Sequence, residues 1–360
     1  MNTQAEMNAK AEALRGKTSI RILALESSCD ETAAAVVENG RTVVSSVIFS
    51  QVDLHVLYGG VVPEIASRAH VDACDRVIDQ ALREADMKLH DIDACAVTFG
   101  PGLVGALLTG VSCMKGLCYT ARLPLVPVNH IEGHVSANYI TTPSLTPPFL
   151  CLVVSGGHSH LVRVNDYGDY ALLGQTVDDA AGEVFDKAAR VLGLPYPGGP
   201  LLSKLAKSGD PTYLPLPRPS PEGRYDYSFS GLKTAFVNAY HKMEQKGEPL
   251  PKADLAASFE KAVVDSLCAK AVLALQESGL NTLCLAGGVS ANRLLRAQMA
   301  ELAKKHGFSL RLPDLWLCTD NAAMIGSAAY YSLQRGIIAE LTLNAEPAHQ
   351  LCPPRKKATQ

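Results

Sequence analysis

A strand, a small polar turn and a returning strand occur twice in this chain, once near the start and again from Phe149. Ile22-Leu23-Ala24-Leu25-Glu26 reads as a strand, Ser27-Ser28-Cys29-Asp30-Glu31-Thr32 as a turn, and Ala33-Ala34-Ala35-Val36-Val37 as the return. The second copy runs from the apolar stretch Leu150 to Val154 through Ser155-Gly156-Gly157-His158-Ser159 to His160-Leu161-Val162-Arg163-Val164. Each copy is followed by alternating helical and strand-like segments. Such a duplicated plan restricts the fold to an α/β protein of two lobes with a central cleft. Small polar tips also present backbone N–H groups to phosphate or carboxylate, although one Ser-Gly-Gly turn is equally ordinary hairpin chemistry.

At 360 residues the chain exceeds one comfortable core. The expected division is a flexible, disordered or loosely helical extension over 1–20, an N-terminal lobe over 21–148, a C-terminal lobe over 149–318 and a tail over 344–360. A C-terminal helix at about 321–340 is expected to complete the first lobe. The first twenty residues lack an apolar segment, which argues against a secretory signal. No apolar run approaches membrane-spanning length, so no membrane association is expected. Cysteines such as Cys95, Cys151 and Cys284 sit inside apolar runs and no C-x-x-C pair occurs, which points to buried free thiols and a cytoplasmic location. A net charge of −3 is unlike the strongly basic surface of a protein that binds nucleic acid alone. Any RNA face must be local, with Lys187, Lys204, Lys207, Arg218, Arg224 and Lys233 as candidates, or shared with other subunits. The basic end of Pro353-Pro354-Arg355-Lys356-Lys357 reads as solvated chain.

His130-Ile131-Glu132-Gly133-His134 carries the clearest chemistry. Histidines four apart share one helix face, and both imidazoles can reach one metal ion. At about 100° per residue their shared direction lies near 20°, whereas Glu132 lies about 180° away. A zinc-protease glutamate sits beside a histidine and touches metal-bound water; Glu132 cannot easily do so. The two histidines are either ordinary helix residues or ligands of a non-protease metal site. Asp320, in Leu317-Cys318-Thr319-Asp320-Asn321, is the candidate third ligand, or else the N-cap of the helix that follows. Two histidines and a carboxylate suit Zn(II) or Fe(II) without deciding between them.

Other segments place glycines where a ligand or another backbone comes close. Gly100-Pro101-Gly102-Leu103-Val104-Gly105 joins a strand to a helix, as either an anion site or close packing. Asp178-Asp179-Ala180-Ala181-Gly182-Glu183 opens a helix with acidic residues in its first turn. Asp186 lies further along, where no carboxylate is needed for capping. In Gly287-Gly288-Val289-Ser290-Ala291-Asn292-Arg293 the glycines admit a flat or anionic ligand, and Asn292 offers a donor and an acceptor.

Together these segments closely resemble the bacterial tRNA N6-adenosine threonylcarbamoyltransferase family. The resemblance rests on E-S-S-C-D-E-T at Glu26, G-G-V-V-P-E-I-A-S-R at Gly59, G-P-G-L-V-G at Gly100, H-I-E-G-H at His130 and V-V-S-G-G-H at Val153. It continues through D-D-A-A-G-E-V-F-D-K at Asp178, Y-P-G-G-P at Tyr196, F-S-G-L-K-T at Phe229, A-G-G-V-S-A-N-R at Ala286 and C-T-D-N at Cys318. It covers roughly Arg21 to Ile338 and implies an actin-like, Hsp70-like and sugar-kinase-like fold. It also implies transfer of threonylcarbamoyl from threonylcarbamoyl-AMP to N6 of the adenosine just 3′ of the anticodon, in tRNAs reading codons that begin with A.

The same resemblance implies one divalent metal ion, Fe(II) or Zn(II), on His130, His134 and Asp320. The adenylate would lie on Val153, Val154, Ser155, Gly156, Gly157, Asp186, Gly199 and Asn292. Implied partners are tRNA, a paralogous actin-fold subunit and a small P-loop ATPase, with a separate synthase supplying the adenylate. Asn129 stands where some relatives have another histidine. A mixed anhydride is already activated, so no covalent nucleophile is needed. Asp30 and Glu31 are candidates for proton transfer or orientation. The competing readings are a metallopeptidase, a small-molecule kinase of the same fold and a non-catalytic module that positions other subunits.

Overall fold

The computed structural model describes residues 3–352; the basic end of the tail lies outside them. It divides into two compact units. The first comprises residues through Pro147, Asp166–Tyr170 and Thr319 onward, and the second comprises Pro148–Asn165 and Ala171–Cys318.

In chain order the first unit contains α1 (Thr3–Leu14), β1 (Arg21–Glu26), β2 (Glu31–Glu38), β3 (Thr42–Ser50), α2 (Val52–Val56) and α3 (Pro63–Glu84). β4 (Ala94–Gly100), α4 (Val104–Ala121), β5 (Leu125–Asn129) and α5 (His130–Thr141) follow. The second unit contains β6 (Phe149–Val154), β7 (Ser159–Asp166), β8 (Asp169–Gln175), α6 (Ala181–Val191), α7 (Gly198–Ala206) and α8 (Ser230–Gln245). It ends with α9 (Lys252–Ser278), β9 (Thr282–Ala286), α10 (Arg293–His306) and β10 (Ser309–Arg311). Finally α11 (Ala322–Gln334) returns to the first unit.

The two sheets share one plan. In the first the order is β3-β2-β1-β4-β5, and in the second β8-β7-β6-β9-β10. β1 is antiparallel to β2 and parallel to β4, just as β6 is antiparallel to β7 and parallel to β9. The central strands β1, β4 and β6 are apolar almost throughout because helices cover both faces of the parallel half. Edge strand β3 instead mixes buried and exposed positions. Both hairpins expected from the sequence are present, with Glu26 opposite Ala33 and Val154 opposite Ser159 at their turn ends.

Two expectations are corrected here. The segment before Arg21 is helical, as one of its readings had it, but helix α1 is packed rather than loose, with Met7, Ala11 and Leu14 buried. Their spacing of four and three residues forms one apolar stripe. Met7 joins the first unit's core with Leu23, Val36 and Ile78, and the Gln4 amide donates to the Ala339 carbonyl. Moreover, one helix, α4, is long and apolar enough to cross a membrane by length and composition alone. One face of it packs: Ala106, Leu107, Val111, Met114 and Cys118 are buried, and the helix lies on α3 and β4, while Val104, Leu108 and Tyr119 are exposed.

Met7→Ala should therefore lower stability by about 2–3 kcal/mol, the usual cost of emptying a buried methionine site. Urea denaturation of the two proteins checks this. An unchanged midpoint would show that α1 adds nothing to the fold.

Candidate metal centre and ligand turns

Helix α5 starts where Asn129 caps it, its side-chain oxygen accepting from Ile131 N at 2.8 Å and Glu132 N at 3.3 Å. Capping there makes His130 the first helical residue and stacks His134 one turn above it. The two rings meet edge to face with centroids 4.6 Å apart, and both are buried. Neither ring nitrogen of fully buried His134 has a hydrogen bond. Orphaned imidazole nitrogens in a dry interior are costly.

The two readings of Asp320 separate by one residue. Asn321 caps α11, its side chain accepting from Met324 N at 2.9 Å. The Asp320 carboxylate points instead at the histidines, with Oδ1 3.5 Å from His130 Nε2 and 3.3 Å from His134 Nε2. One ligand atom from each of the three residues lies within 4.8 Å of the others. Two imidazoles, a carboxylate and unpaired nitrogens fit a divalent cation. Glu132 takes no part. It accepts from the Tyr170 hydroxyl at 3.1 Å, and burial pushes its carboxyl up to about 7.

A fourth residue, not singled out from the sequence, completes the surroundings. Glu26 ends β1 and is fully buried. Its Oε1 accepts from Ser28 N at 2.6 Å, its Oε2 accepts from Thr98 Oγ1 at 2.5 Å, and Oε2 lies 3.3 Å from His130 Nδ1. Ser28 Oγ is 3.1 Å from the same nitrogen. Burial opposes ionisation of Glu26, but the adjacent His130 and the Ser28 hydrogen bond hold it below its ordinary value. For His130 burial again opposes charge, yet Asp320 and Glu26 raise it to about 9. Burial lowers His134, which keeps that imidazole neutral, as a ligand must be.

Asp30 sits in the turn between β1 and β2, and Glu31 opens β2 opposite Ser50. His70 braces that turn, its ring nitrogens 2.8 Å from Thr32 Oγ1 and 2.9 Å from the Cys29 carbonyl. Glu31 Oε1 accepts from Ser50 Oγ at 2.9 Å, while Oε2 is buried without a hydrogen bond. Burial chiefly, with Asp30 and Asp320 nearby, pushes its carboxyl up to about 8. The glycines after β4 are accounted for by packing: a Cβ on Gly102 would lie 2.5 Å from the Ser28 carbonyl, and one on Gly110 2.2 Å from Ser27 Oγ.

In the second unit Val153 and Val154 end β6, and Ser155 Oγ accepts from His158 N at 3.2 Å. Gly156 and Gly157 have open space where a side chain would project. The amide of Gly182 donates to the Ser155 carbonyl at 3.1 Å, and a Cβ there would come within 2.5 Å of that oxygen. Gly287, at φ +82°, packs equally tightly on the Val154 carbonyl, which brings the loop carrying Asn292 beside the turn. Asp186 Oδ1 accepts from Gly199 N at 2.9 Å. Asn292 caps α10 through Leu295 N at 2.9 Å and donates to buried Glu260 at 2.7 Å.

Asp178 and Asp179 differ from expectation. Helix α6 begins only at Ala181, so neither lies in its first turn. Asp178 instead accepts from Ser228 Oγ and Phe229 N, and Asp179 binds Ser230 Oγ and Lys233, tying the start of α8. Several basic candidates are also committed: Lys187 and Lys233 pair with Asp179, Arg218 with Asp265 and Arg224 with Glu277.

Residues 42–327 match the sequence profile of TsaD, tRNA N6-adenosine threonylcarbamoyltransferase. An enzyme of that name from Clostridium perfringens is 53% identical over 327 residues, spanning 91% of this chain and 96% of the relative. One from Clostridioides difficile is 53% identical over 326 residues, spanning 90% and 96%. The chain belongs to the tRNA N6-adenosine threonylcarbamoyltransferase family. Solved structures show the fold. HypF of T. kodakarensis superposes with a TM-score of 0.61 at 13% identity, over 88% of this chain and 48% of its own. Component A of the Acidaminococcus fermentans (R)-2-hydroxyglutaryl-CoA dehydratase gives 0.52 at 15% identity, over 88% and 99%. The architecture is thus the duplicated actin-like one. Membership disfavours the metallopeptidase and kinase readings, and the Tyr170 contact of Glu132 weighs further against the first.

The raised Glu31 carboxyl makes stability depend on pH. Below its ordinary value of 4.5 both folded and unfolded states are protonated. As pH rises toward about 8 the unfolded state releases the proton while the folded state keeps it, so stability falls across that window. Glu31→Gln should escape this loss. In metal-stripped protein the variant should gain about 2 kcal/mol on wild type between about pH 5 and about pH 9, a figure discounted for solvent access. Denaturant titration at both pH values checks it; a gap that does not change with pH means Glu31 ionises ordinarily.

Proposed function

We propose that this chain transfers threonylcarbamoyl from threonylcarbamoyl-AMP to N6 of the adenosine 3′ of the anticodon, in tRNAs reading codons that begin with A. The observation that carries this reading is 53% identity, over nine-tenths of the chain, to enzymes named for that transfer. In the reaction the N6–carbon bond forms, the carbon–oxygen bond to phosphate breaks, AMP leaves with that electron pair, and the amine gives up a proton.

His130, His134 and Asp320 hold one divalent ion in this reading, Fe(II) or Zn(II). When bound, it supplies Lewis acidity toward an oxygen of the threonylcarbamoyl group. The turn Val153–Gly157, with Asp186, Gly199 and Asn292, holds the adenylate. Glu31, with its raised carboxyl, is suited as a carboxylate to accept the amine proton, being a stronger base than an ordinary glutamate. Asp30 beside it orients the attacking group. The main contribution is positional, because a weakly nucleophilic amine must be held against an already activated carbonyl.

A net charge of −3 supports sharing the tRNA between subunits. We assign the paralogous actin-fold subunit and the small P-loop ATPase as partners on the family resemblance. Ten free cysteines, most of them buried, support a reducing, cytoplasmic location.

Transfer of labelled threonylcarbamoyl to unmodified tRNA, with the partners present, tests the reading. Wild type should transfer; His130→Ala and a chelated sample should lose nearly all activity; and added Fe(II) or Zn(II) should restore only the chelated wild type. Transfer that survives both treatments would remove the metal from the mechanism. No transfer by wild type would remove the function.

A further inference from the structure

Glu26 is the most thoroughly buried carboxylate near the candidate centre, and nothing in the transfer reaction calls for it. It cannot reach a ligand in solvent, since it is fully buried behind His130. Leaving a carboxylate in that position is expensive unless every oxygen is answered by a donor. Each is. Oε1 is fixed by the Ser28 backbone N–H, and Oε2 by the Thr98 hydroxyl. The remaining neighbour of Oε2 is His130 Nδ1, at 3.3 Å.

We infer that Glu26 is a positioning residue for the metal centre: its Oε2 accepts the His130 Nδ1 proton and so presents the Nε2 lone pair toward His134 and Asp320. The inference rests on reading those three residues as ligands. A neutral imidazole carries one proton, and whichever nitrogen holds it cannot bind a metal. An acceptor at Nδ1 keeps the proton there and holds the ring in plane. Ligating histidines are commonly oriented in this way by a carboxylate behind them. Ser28 Oγ, 3.1 Å from Nδ1, cannot enforce the choice alone because a hydroxyl both donates and accepts.

The hydrogen-bond pattern gives Glu26→Gln a definite consequence. The Ser28 N–H is backbone and cannot become an acceptor, so the new carboxamide oxygen must take the Oε1 position. Its NH2 group then occupies the Oε2 position and faces His130 Nδ1 with a donor. The imidazole answers by accepting there and moving its proton to Nε2, where it blocks the metal. A substitution that changes almost no volume should therefore weaken metal binding by roughly 10- to 100-fold. Thr98→Val, also nearly isosteric, removes only the donor that holds Oε2 in place and should weaken binding less, in the same direction.

The test is calorimetric titration of Zn(II) into the metal-stripped full chain for wild type, Glu26→Gln and Thr98→Val, with thermal melting of each metal-free protein. Weaker binding by both variants, largest for Glu26→Gln, together with cooperative melting supports the inference. Should Glu26→Gln fail to fold, Thr98→Val decides, and wild-type affinity there overturns the inference. Folded Glu26→Gln that binds Zn(II) as wild type does also overturns it and leaves the ligand assignment standing. Wild type that takes up no Zn(II), nor Fe(II) under anaerobic conditions, overturns the ligand assignment itself.

Discussion

Everything at the candidate centre depends on helix α11 lying against helix α5. Asp320 is far from His130 in sequence, and only this packing joins them. The contact is close because α5 thins its surface with Gly133, where a Cβ would lie 2.7 Å from Ile325 Cδ1. Gly326 lets α11 approach the sheet on its other side, where a Cβ would lie 2.7 Å from Val37 Cγ2 in β2. Ser327 adds polar links, its hydroxyl reaching the Gly40 carbonyl at 2.6 Å and the Ser136 carbonyl at 3.2 Å. Both helices are buried nearly all round, so their position follows from apolar packing rather than from the charged residues. Burying two imidazoles and the Glu26 carboxylate, with Asp320 partly covered, opposes folding. The packed helices bear that cost, and the residues of the centre are thereby free to be chosen for chemistry.

The centre also separates its two histidines electrostatically. His130 touches Glu26 on one side and Asp320 on the other, and the two carboxylates favour its charged form. His134 has Asp320 alone and is more deeply enclosed, so burial prevails and it stays neutral. A cation has an energetic reason to enter such a site. It would meet the negative charge of Glu26 and Asp320 now answered by a single proton on His130, and would give His134 Nε2, which makes no hydrogen bond, a partner.

Legibility in the sequence tracked the distance over which each signal acts. The hairpins, the face shared by His130 and His134 and the exclusion of Glu132 were readable because each is set by neighbours within one or two turns. Asp320 was readable only as a competition between capping and ligation; the helix begins one residue later than that competition assumed, and Asn321 takes the cap. Glu26 carries no local signal. It reads as the polar end of an apolar strand, and its partners Thr98 and His130 come from other strands and helices, so no local pattern marks it. Asp178 and Asp179 misled because an acidic pair before a helix looks like a dipole partner, while their hydrogen bonds run to a segment some fifty residues on. In α1 the three buried residues Met7, Ala11 and Leu14 stand among polar ones, and what anchors the helix is the first unit's core, which lies far away in sequence.

The second unit uses its named side chains differently from the first. Asn292 has its carboxamide oxygen on Leu295 N and its amide on Glu260, and Asp186 gives one oxygen to Gly199 N. These groups brace loops before any ligand arrives. What the turn offers outward is backbone, since Gly156 and Gly157 have nothing but space where side chains would stand. Gly182 and Gly287 let the helix start and the neighbouring loop close onto the Ser155 and Val154 carbonyls, which fixes the turn's shape. Within the turn the Ser155 amide donates to the His158 carbonyl and the His158 amide to Ser155 Oγ; in the proposed reading such a preorganised backbone needs no side-chain reorganisation as charge develops on a leaving group. The division of labour follows. Side chains of the second unit hold a backbone surface in position, and side chains of the first unit form the candidate metal centre.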